Sequence, residues 1–440
     1  MKNVFFIGIG GIGMSALAKY TLLKGFRCGG SDKSYGEVIN GLKRLGAEIY
    51  IGHNAKNVYG YDTVVYSSAI DENNPELKYA KERKLKIYDR AEYLNYIISK
   101  YKKVIAVSGS HGKTTTTAIL SNIYKTANKN FCSFIGGEDK NLTNFFKQGK
   151  TEYCITEACE YRKNFLKISF DQGVILNVDT DHPDCYKDYD DVLSAFRLFA
   201  KNAYEVVFAE YGLKDKLACK KIITFGFDKR ADYYASDIRS DFDKIYFSVY
   251  KGAKRILDTR VFGFQKNCVL NALASIVVAL YNGVSPEDID KGVKTFGGIK
   301  RRNEFLCSYN GCDFYADYCH HPTQIEDTIN SFKNITAGRL IVIFQPHTYS
   351  RTKALFGEFE RVLSLADRLV IYKTYGARES FDKTGDGKTL SKKIEKSIYI
   401  DNEKTLKRFI IENCKKNDVC LILGAGSIYE ISKKILGSLI

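Results

Sequence analysis

Two glycine-rich turns, each directly after a short apolar run, constrain the fold of this chain more than any other feature of its sequence. The first spans Gly8–Gly13 and follows Val4–Ile7, and the second spans Ser108–Thr114 and follows Val104–Val107. A buried strand, a tight glycine turn and a helix, in that order, form the nucleotide-binding unit of α/β domains. Two such units, about 100 residues apart, predict two separate α/β domains.

Apolar runs that alternate with helical patterns continue to the end of the 440 residues. Further strands are predicted at Gly173–Asn177, Leu340–Phe344, Leu369–Tyr372 and Val419–Leu423. A helix is predicted at Asn267–Tyr281, and Ser285 with Pro286 starts another as N-cap and first helical residue. This alternation predicts an α/β fold with mainly parallel sheets, in three domains at residues 1–100, 101–300 and 301–440.

Composition narrows the class of protein. The formal net charge is +16, but the lysines are scattered, so the sequence predicts no nucleic-acid surface. The 12 cysteines form no Cys-x-x-Cys pair, a pattern typical of reduced thiols in the cytoplasm. The apolar N-terminus resembles a signal peptide, but its glycines favour a nucleotide turn. No apolar stretch is long enough to predict a membrane span, so we expect a cytoplasmic enzyme with no membrane partner.

The first turn matches the G-x-G-x-x-G pattern of pyrophosphate-binding loops. Glycines let the backbone approach the anion, and the N–H groups at the helix N-terminus bind it. Asp32, near the end of the next predicted strand, is suited to accept a hydrogen bond from a ribose hydroxyl. The residues predicted to contact the ligand here include Gly10, Gly11, Ile12 and Gly13. The motif alone fits NAD and a UDP-sugar equally well.

The second turn resembles a P-loop, although two residues rather than four separate its glycines. Its backbone N–H groups would surround the phosphates of ATP, Lys113 would reach the β- and γ-phosphates, and the Thr114 hydroxyl would bind Mg²⁺. The loop residues predicted to bind ATP are Gly109, Ser110, His111, Gly112, Lys113, Thr114 and Thr115.

Polar residues follow several of the later predicted strands. Glu157 and the segment Asn177–Asp184, which contains His182, supply a carboxylate and an imidazole that suit Mg²⁺ beside bound phosphates. Solvated loop ends are the alternative interpretation. Further along, His347 and Arg351 lie four residues apart and would share a helix face, where arginine is suited to grip a small carboxylate.

These motifs, in this order, resemble the Mur ligase family over essentially the whole chain. The most specific parts are His320-His321-Pro322-Thr323 and Pro346–Thr352, and together with Gly8–Gly13 they look like the members that add L-alanine. The resemblance implies a UDP-binding Rossmann-like domain, a central P-loop ATPase domain and a Rossmann-like C-terminal domain. It also implies an ATP-dependent ligase that joins UDP-N-acetylmuramate to L-alanine through an acyl phosphate, in peptidoglycan precursor synthesis.

The resemblance also assigns residue roles. Asp32, Ser67 and Ser68, with the first glycine turn, would contact the UDP-sugar. Thr114, Glu157 and His182 would hold Mg²⁺, and Lys113 would bind the ATP phosphates. Asn271, Arg302 and Asp317 would contact the adenine, phosphate and ribose of ATP, respectively. Tyr318, His347 and Arg351 would form the alanine pocket, and His320 is a further predicted substrate-binding residue. His347 is also a candidate base for the attacking amine.

Several other functions remain open at this stage. A nicotinamide-dependent dehydrogenase would explain Gly8–Gly13 and Asp32, but it gives Lys113, Glu157 and His182 no role. A basic P-loop protein acting on nucleic acid leaves the first turn unexplained, and a non-catalytic UDP-sugar sensor would not need Lys113 and Thr114. Related ligases that add another amino acid or a peptide are the nearest alternative. The expected partners are small molecules only, in a monomer or homodimer.

Overall fold

The computed structural model describes residues 2–138, 141–180, 185–241, 243–377 and 379–440. The described residues form three β-sheets with helices packed on them. The first sheet has the order β3-β2-β1-β4-β5, and all its pairings are parallel. Its strands are β1 Asn3–Ile7, β2 Arg27–Asp32, β3 Glu48–Ile51, β4 Thr63–Tyr66 and β5 Lys86–Asp89, and its helices are α1 Ile12–Leu23, α2 Glu37–Arg44, α3 Pro75–Glu82 and α4 Arg90–Ile98.

The second sheet has the order β15-β14-β13-β12-β11-β10-β6-β9-β7-β8, and its centre, from β12 to β7, is parallel. Its strands are β6 Lys103–Ser108, β7 Phe131–Phe134, β8 Phe145–Gln148, β9 Tyr153–Glu157, β10 Gln172–Ile175, β11 Val206–Glu210, β12 Ile222–Gly226, β13 Tyr233–Asp241, β14 Lys244–Lys251 and β15 Lys254–Phe262. Its helices are α5 Lys113–Thr126, α6 Tyr189–Lys201, α7 Lys266–Tyr281 and α8 Pro286–Thr295.

The third sheet has the order β16-β17-β21-β18-β19-β20, and only the β16–β17 pair of the described strands is antiparallel. Its strands are β16 Glu304–Tyr309, β17 Cys312–Asp317, β18 Leu340–Phe344, β19 Arg368–Tyr372, β20 Ser397–Ile400 and β21 Val419–Leu423. Its helices are α9 Pro322–Lys333, α10 Tyr349–Ala354, α11 Phe356–Leu363, α12 Gly387–Ser391, α13 Glu403–Asn413 and α14 Ile428–Gly437.

The three sheets belong to two compact units. The first unit comprises Met1–Arg239, Ile245–Phe262 and Lys266–Gly297, and so contains the first sheet and most of the second. The second unit comprises Ser240–Lys244, Gly263–Gln265 and Gly298–Ile440. The predicted three-part α/β architecture with mainly parallel sheets is confirmed. In the described part of the chain, no helix combines the length and the apolar character that a membrane crossing requires.

Helix α5 is the central helix of the second sheet, and close packing fixes its position. Its side chains Ile119, Leu120 and Ile123 are fully buried, and the helix contacts both α7 and α8. Gly292 in α8 allows the closest approach, because a Cβ at this position would lie 2.5 Å from the Cα of Ile123. Since α5 begins at Lys113, this packing also fixes the end of the predicted P-loop.

The substitution Gly292→Ala should therefore destabilise the protein, by roughly 1–3 kcal/mol, because the added methyl group forces α5 and α8 apart. Gly41→Ala in α2 is the matched control, since a Cβ there meets no atom within 4 Å. That variant should gain about 0.5–1 kcal/mol from its higher helix propensity. Thermal denaturation of both variants measures the difference, and equal effects would contradict the packing argument.

Candidate active site

The first glycine turn is held by the end of the neighbouring strand β2. The backbone N–H groups of Gly8 and Ile9 donate to the carbonyl of Ser31, at 2.8 and 3.0 Å. The N–H of Gly10 donates to Oδ2 of Asp32 at 2.8 Å. Asp32 therefore fixes the turn itself, and its carboxylate retains lone pairs that could accept a hydrogen bond from a ligand hydroxyl.

The end of strand β4 completes this edge of the first sheet. The N–H of Ser67 donates to the carbonyl of Ile7 at 3.1 Å, and Arg162 donates to the carbonyl of Ser68 at 2.9 Å. The sheet order reverses between β1 and β4, and ligands of open α/β sheets bind at such a point, outside the carboxyl ends of the strands. The structure thus brings together the residues predicted for the UDP-sugar, namely Gly10, Gly11, Ile12, Gly13, Asp32, Ser67 and Ser68.

A buried carboxylate beside this edge was not predicted. Glu76 is fully buried and accepts hydrogen bonds from Ser31 Oγ at 2.6 Å and Asn57 Nδ2 at 2.7 Å, and His53 Nδ1 lies 2.8 Å from its carboxylate. The backbone N–H of Asn54 also donates to it, at 3.3 Å. This network ties the segment after β3 to strand β2, and no short sequence pattern signals it.

The second glycine turn forms the predicted P-loop between β6 and α5. Gly112 has φ of 87°, a left-handed conformation that glycine adopts without strain, and it caps α5. The side chain of Asn177 holds the turn from the neighbouring strand, because Oδ1 accepts from His111 N at 2.8 Å and Nδ2 donates to His111 O at 3.1 Å. Ser110 Oγ donates to the carbonyl of Asp179 at 3.1 Å. Gly109, Thr114 and Thr115 lie in the same strand–turn–helix unit.

Lys113 is the cation of this turn, and Glu160 is its partner. Lys113 Nζ lies 2.8 Å from Glu160 Oε2 and donates to the carbonyl of Gly109 at 2.5 Å. The Glu160 side chain is only 2% exposed. Burial lowers the pKa of Lys113, but the charge and hydrogen bond of Glu160, together with nearby Cys159 and Glu157, outweigh burial and raise that pKa above its usual value. The lysine therefore carries a positive charge at the loop, where the phosphates of a nucleotide would bind.

The residues predicted to bind Mg²⁺ are only partly described. Glu157 ends β9, and its carboxylate accepts a hydrogen bond from the N–H of Gly136. Thr114 is the second residue of α5 and is half-buried. His182 lies outside the described residues. A carboxylate and a hydroxyl are the oxygen ligands that Mg²⁺ prefers, and this ion commonly takes only one or two carboxylates when phosphates supply the rest.

Asn271 of α7 lies against the P-loop. A Cβ on Gly112 would collide with the side chain of Asn271, so this side chain and the loop are in direct contact. Ser275, one turn later in α7, donates from its hydroxyl to the carbonyl of Thr116 in α5 at 3.0 Å. Asn271, which was predicted to contact adenine, therefore lies directly beside the P-loop.

The second unit carries the other predicted ATP residues, Arg302 and Asp317. The carboxylate of Asp317, at the end of β17, accepts from the N–H groups of Asn303 at 2.8 Å and Cys319 at 2.7 Å. Burial raises the pKa of Asp317 above its usual value, although the charge of Arg302 opposes this shift. The carboxylate thus fixes the segment before β16 and the segment after β17, and it keeps capacity for a further donor.

The three residues predicted for the alanine pocket, Tyr318, His347 and Arg351, also lie in the second unit, close to the predicted substrate-binding residue His320. The rings of Tyr318 and His320 lie 5.3 Å apart, and those of His320 and His347 lie 6.0 Å apart. Arg351 Nη1 donates to the carbonyl of His347 at 3.3 Å. Tyr375, which was not predicted, stacks on His347 at 5.5 Å with an angle of 14°. These residues therefore form one cluster of aromatic, imidazole and guanidinium side chains.

Two further features of this pocket bear on its chemistry. Burial, with the charge of Arg351, lowers the pKa of His347, so its imidazole is held neutral. Nδ1 of His347 is buried and has no hydrogen-bond partner among the described residues. The guanidinium of Arg301, also not predicted, lies 5.0 Å from the ring of Tyr318 and 4.9 Å from that of Tyr429. A neutral imidazole among arginines is suited to accept a proton beside an anion.

Family models match three successive parts of the chain. Residues 3–102 match the catalytic domain of the Mur ligase family, residues 107–279 match the Mur ligase middle domain, and residues 301–426 match the Mur ligase glutamate ligase domain.

Curated and solved proteins are similar over nearly the full length. UDP-N-acetylmuramate–L-alanine ligase from Clostridium tetani is 40% identical over 443 residues, which cover 98% of this chain and 97% of that protein. The crystal structure of UDP-N-acetylmuramate-alanine ligase from Thermotoga maritima has a TM-score of 0.86 and 27% identity, covering 99% of this chain and 98% of that one. A murein peptide ligase from Psychrobacter arcticus has the same fold, with a TM-score of 0.77, 22% identity, and coverage of 100% of this chain and 99% of that one.

Proposed function

This chain belongs to the Mur ligase family, and we propose that it joins L-alanine to the carboxylate of UDP-N-acetylmuramate while converting ATP to ADP and phosphate. The observation that carries this proposal is the charged Lys113 of the P-loop, in a chain that is 40% identical to a ligase of this name. The rival dehydrogenase would leave Lys113 and its partner Glu160 without a role.

The chemical steps follow from the need to activate a carboxylate. The lactyl carboxylate of the sugar attacks the γ-phosphate of ATP, which gives an acyl phosphate and ADP. The amine of L-alanine then attacks the acyl carbon, and phosphate leaves from the tetrahedral intermediate. Both reactants of the first step are anions, so Lys113 and the loop N–H groups lower the barrier by offsetting their repulsion.

Mg²⁺ is the metal that the donor chemistry fits. The hydroxyl of Thr114 and the carboxylate of Glu157 would hold it, with His182 as the third protein residue, and it would neutralise charge on the β- and γ-phosphates. Asn271 would contact the adenine of ATP, and Arg302 and Asp317 would contact its phosphate and ribose. The UDP-sugar would lie on Gly10, Gly11, Ile12, Gly13, Asp32, Ser67 and Ser68.

L-Alanine would bind in the pocket of the second unit. Arg351 would hold its carboxylate, and the neutral His347 would accept the proton that the ammonium group must lose before attack. Tyr318, His320 and Tyr375 would bound the space left for the side chain. A ligase that adds another amino acid or a peptide is the alternative. The space that Tyr318, His320 and Tyr375 leave for the side chain would determine which amino acid is accepted.

The domain roles and the cellular setting complete the proposal. Residues 1–100 would bind the UDP-sugar, residues 101–300 ATP, and residues 301–440 the amino acid. All 12 cysteines are free thiols, which is consistent with a cytoplasmic enzyme. We propose a monomer or homodimer that works on small molecules in peptidoglycan precursor synthesis.

Lys113→Ala should slow ADP formation in the presence of UDP-N-acetylmuramate and L-alanine by about 10²–10³-fold, because the substitution removes one group that stabilises the charge of the transition state. Binding of the UDP-sugar, measured by calorimetry, should be nearly unchanged. Lys125→Ala is the matched control, an exposed lysine of the same helix, and should keep its activity. ADP formation by Lys113→Ala at the rate of the unmodified protein would refute the role of the loop.

Arg351→Ala should raise the Michaelis constant for L-alanine by about 10- to 100-fold, the effect of losing a charged hydrogen bond, and should change that for ATP much less. Lys353→Ala, in the same helix α10 and paired with Asp382 at 3.3 Å, is the control. The readout is phosphate release with each amino acid supplied in turn. A larger change in the Michaelis constant for ATP than in that for L-alanine would refute the assignment of Arg351 to L-alanine binding.

A further inference from the structure

One loop of the second unit contacts both ends of the short segment that runs from His347 into α10, the helix of Arg351. This β19 loop comprises the described residues between β19 and α12. At the first end, the backbone N–H of Tyr375 donates to the carbonyl of Pro346 at 2.9 Å, and the ring of Tyr375 stacks on His347. Tyr375 therefore fixes the chain just before α10 begins.

At the other end, the carboxylate of Glu379 binds Ser350. The backbone N–H of Ser350 donates to Glu379 Oε2 at 2.8 Å, and the Ser350 hydroxyl donates to the second carboxylate oxygen. Helix α10 has no capping side chain of its own and no acidic residue in its first turn. The first N–H groups of a helix have no acceptor within it, and negative charge stabilises them. Glu379, 29 residues away in the sequence, supplies both the acceptor and the charge.

The negative charge of Glu379 also reaches the imidazole of His347. Although burial acts to raise the pKa of Glu379, the hydrogen bonds from Ser350 and its neighbours lower that pKa below its usual value, so the carboxylate is ionised at neutral pH. Burial and the charge of Arg351 lower the pKa of His347, and the charge of Glu379 acts in the opposite direction. The β19 loop thus contributes charge as well as contacts to this cluster.

Close packing keeps the β19 loop against α10. A Cβ on Gly385 would lie 2.0 Å from the carbonyl oxygen of Tyr349, so a larger residue could not come this close to the helix. Lys353 of α10 pairs with Asp382 of the loop at 3.3 Å. The loop therefore contacts the helix on both sides of Arg351 in the sequence.

We propose that Glu379 is a positioning residue for the alanine pocket, which holds the start of α10 so that Arg351 and His347 keep the places assigned to them. The role of the pocket rests on the proposed function, but the contact between Glu379 and α10 does not. Ser350 directly precedes Arg351, so a shift in the first turn of the helix would move the guanidinium as well. Glu379 acts through the residues that it binds, and not on the substrate.

The first test is the Michaelis constant for each substrate, measured as phosphate release by the full-length protein. Glu379→Ala should raise the constant for L-alanine by about 10-fold, the factor that the loss of one capping acceptor typically produces, and should leave those for ATP and UDP-N-acetylmuramate nearly unchanged. Glu379→Gln should recover most of the loss, because its amide oxygen accepts from the Ser350 N–H and its NH₂ group donates to the hydroxyl.

Glu358→Ala is the control for net charge, since Glu358 is an exposed acidic residue in the first turn of α11. It should keep all three Michaelis constants. An unchanged constant for L-alanine in Glu379→Ala would overturn the proposal. A similar rise in all three constants, or equal losses in Glu379→Ala and Glu379→Gln, would overturn it as well.

Hydrogen exchange followed by mass spectrometry tests the contact without any substrate. The peptide that contains Ser350 should exchange faster in Glu379→Ala than in the unmodified protein, and Glu379→Gln should restore slow exchange. Unchanged exchange in Glu379→Ala would contradict the proposal. If the unmodified protein releases no phosphate with any amino acid, the proposed function fails, and the exchange rates alone then decide whether Glu379 holds α10.

Discussion

The ion pair between Lys113 and Glu160 is the interaction on which the catalytic account depends. Taking a lysine out of water disfavours its charged form, so a buried P-loop lysine needs a carboxylate close by to stay protonated. Glu160 supplies that carboxylate at 2.8 Å. Bound phosphates would share the cation with Glu160, and the close packing of α5 holds the lysine at the start of the helix while they do so.

The two glycine turns of the first unit are stabilised in the same way. In each, a polar side chain at or just beyond the end of a neighbouring parallel strand reaches across to the turn. Asp32 does this for the first turn by accepting from Gly10 N, and Asn177 does it for the second by pairing with both backbone groups of His111. The backbone of each turn is thus fixed by the protein itself, and in the proposed function its remaining N–H groups would be in place before a phosphate binds, which is the condition for electrostatic stabilisation of a transition state.

Local patterns in the sequence predicted most of the fold and much of the site. The predicted strands Leu340–Phe344 and Val419–Leu423 have the observed bounds, and Ser285 caps α8 as expected. The predicted strand Gly173–Asn177 was wrong at its end, because β10 stops at Ile175 and Asn177 turns to hold the P-loop. Glu76 and Tyr375 were missed for one physical reason. Their roles come from contacts with residues distant in sequence, which short-range spacing does not encode.

The central claim is that the sugar carboxylate attacks the γ-phosphate of ATP, and isotope transfer tests it most directly. UDP-N-acetylmuramate labelled with oxygen-18 in its carboxylate would be incubated with the protein, Mg²⁺, ATP and L-alanine, and the released phosphate would be analysed by mass spectrometry. The account predicts that each phosphate carries one labelled oxygen, because the acyl phosphate breaks at its carbon–oxygen bond. Unlabelled phosphate, formed together with the amide product, would contradict it.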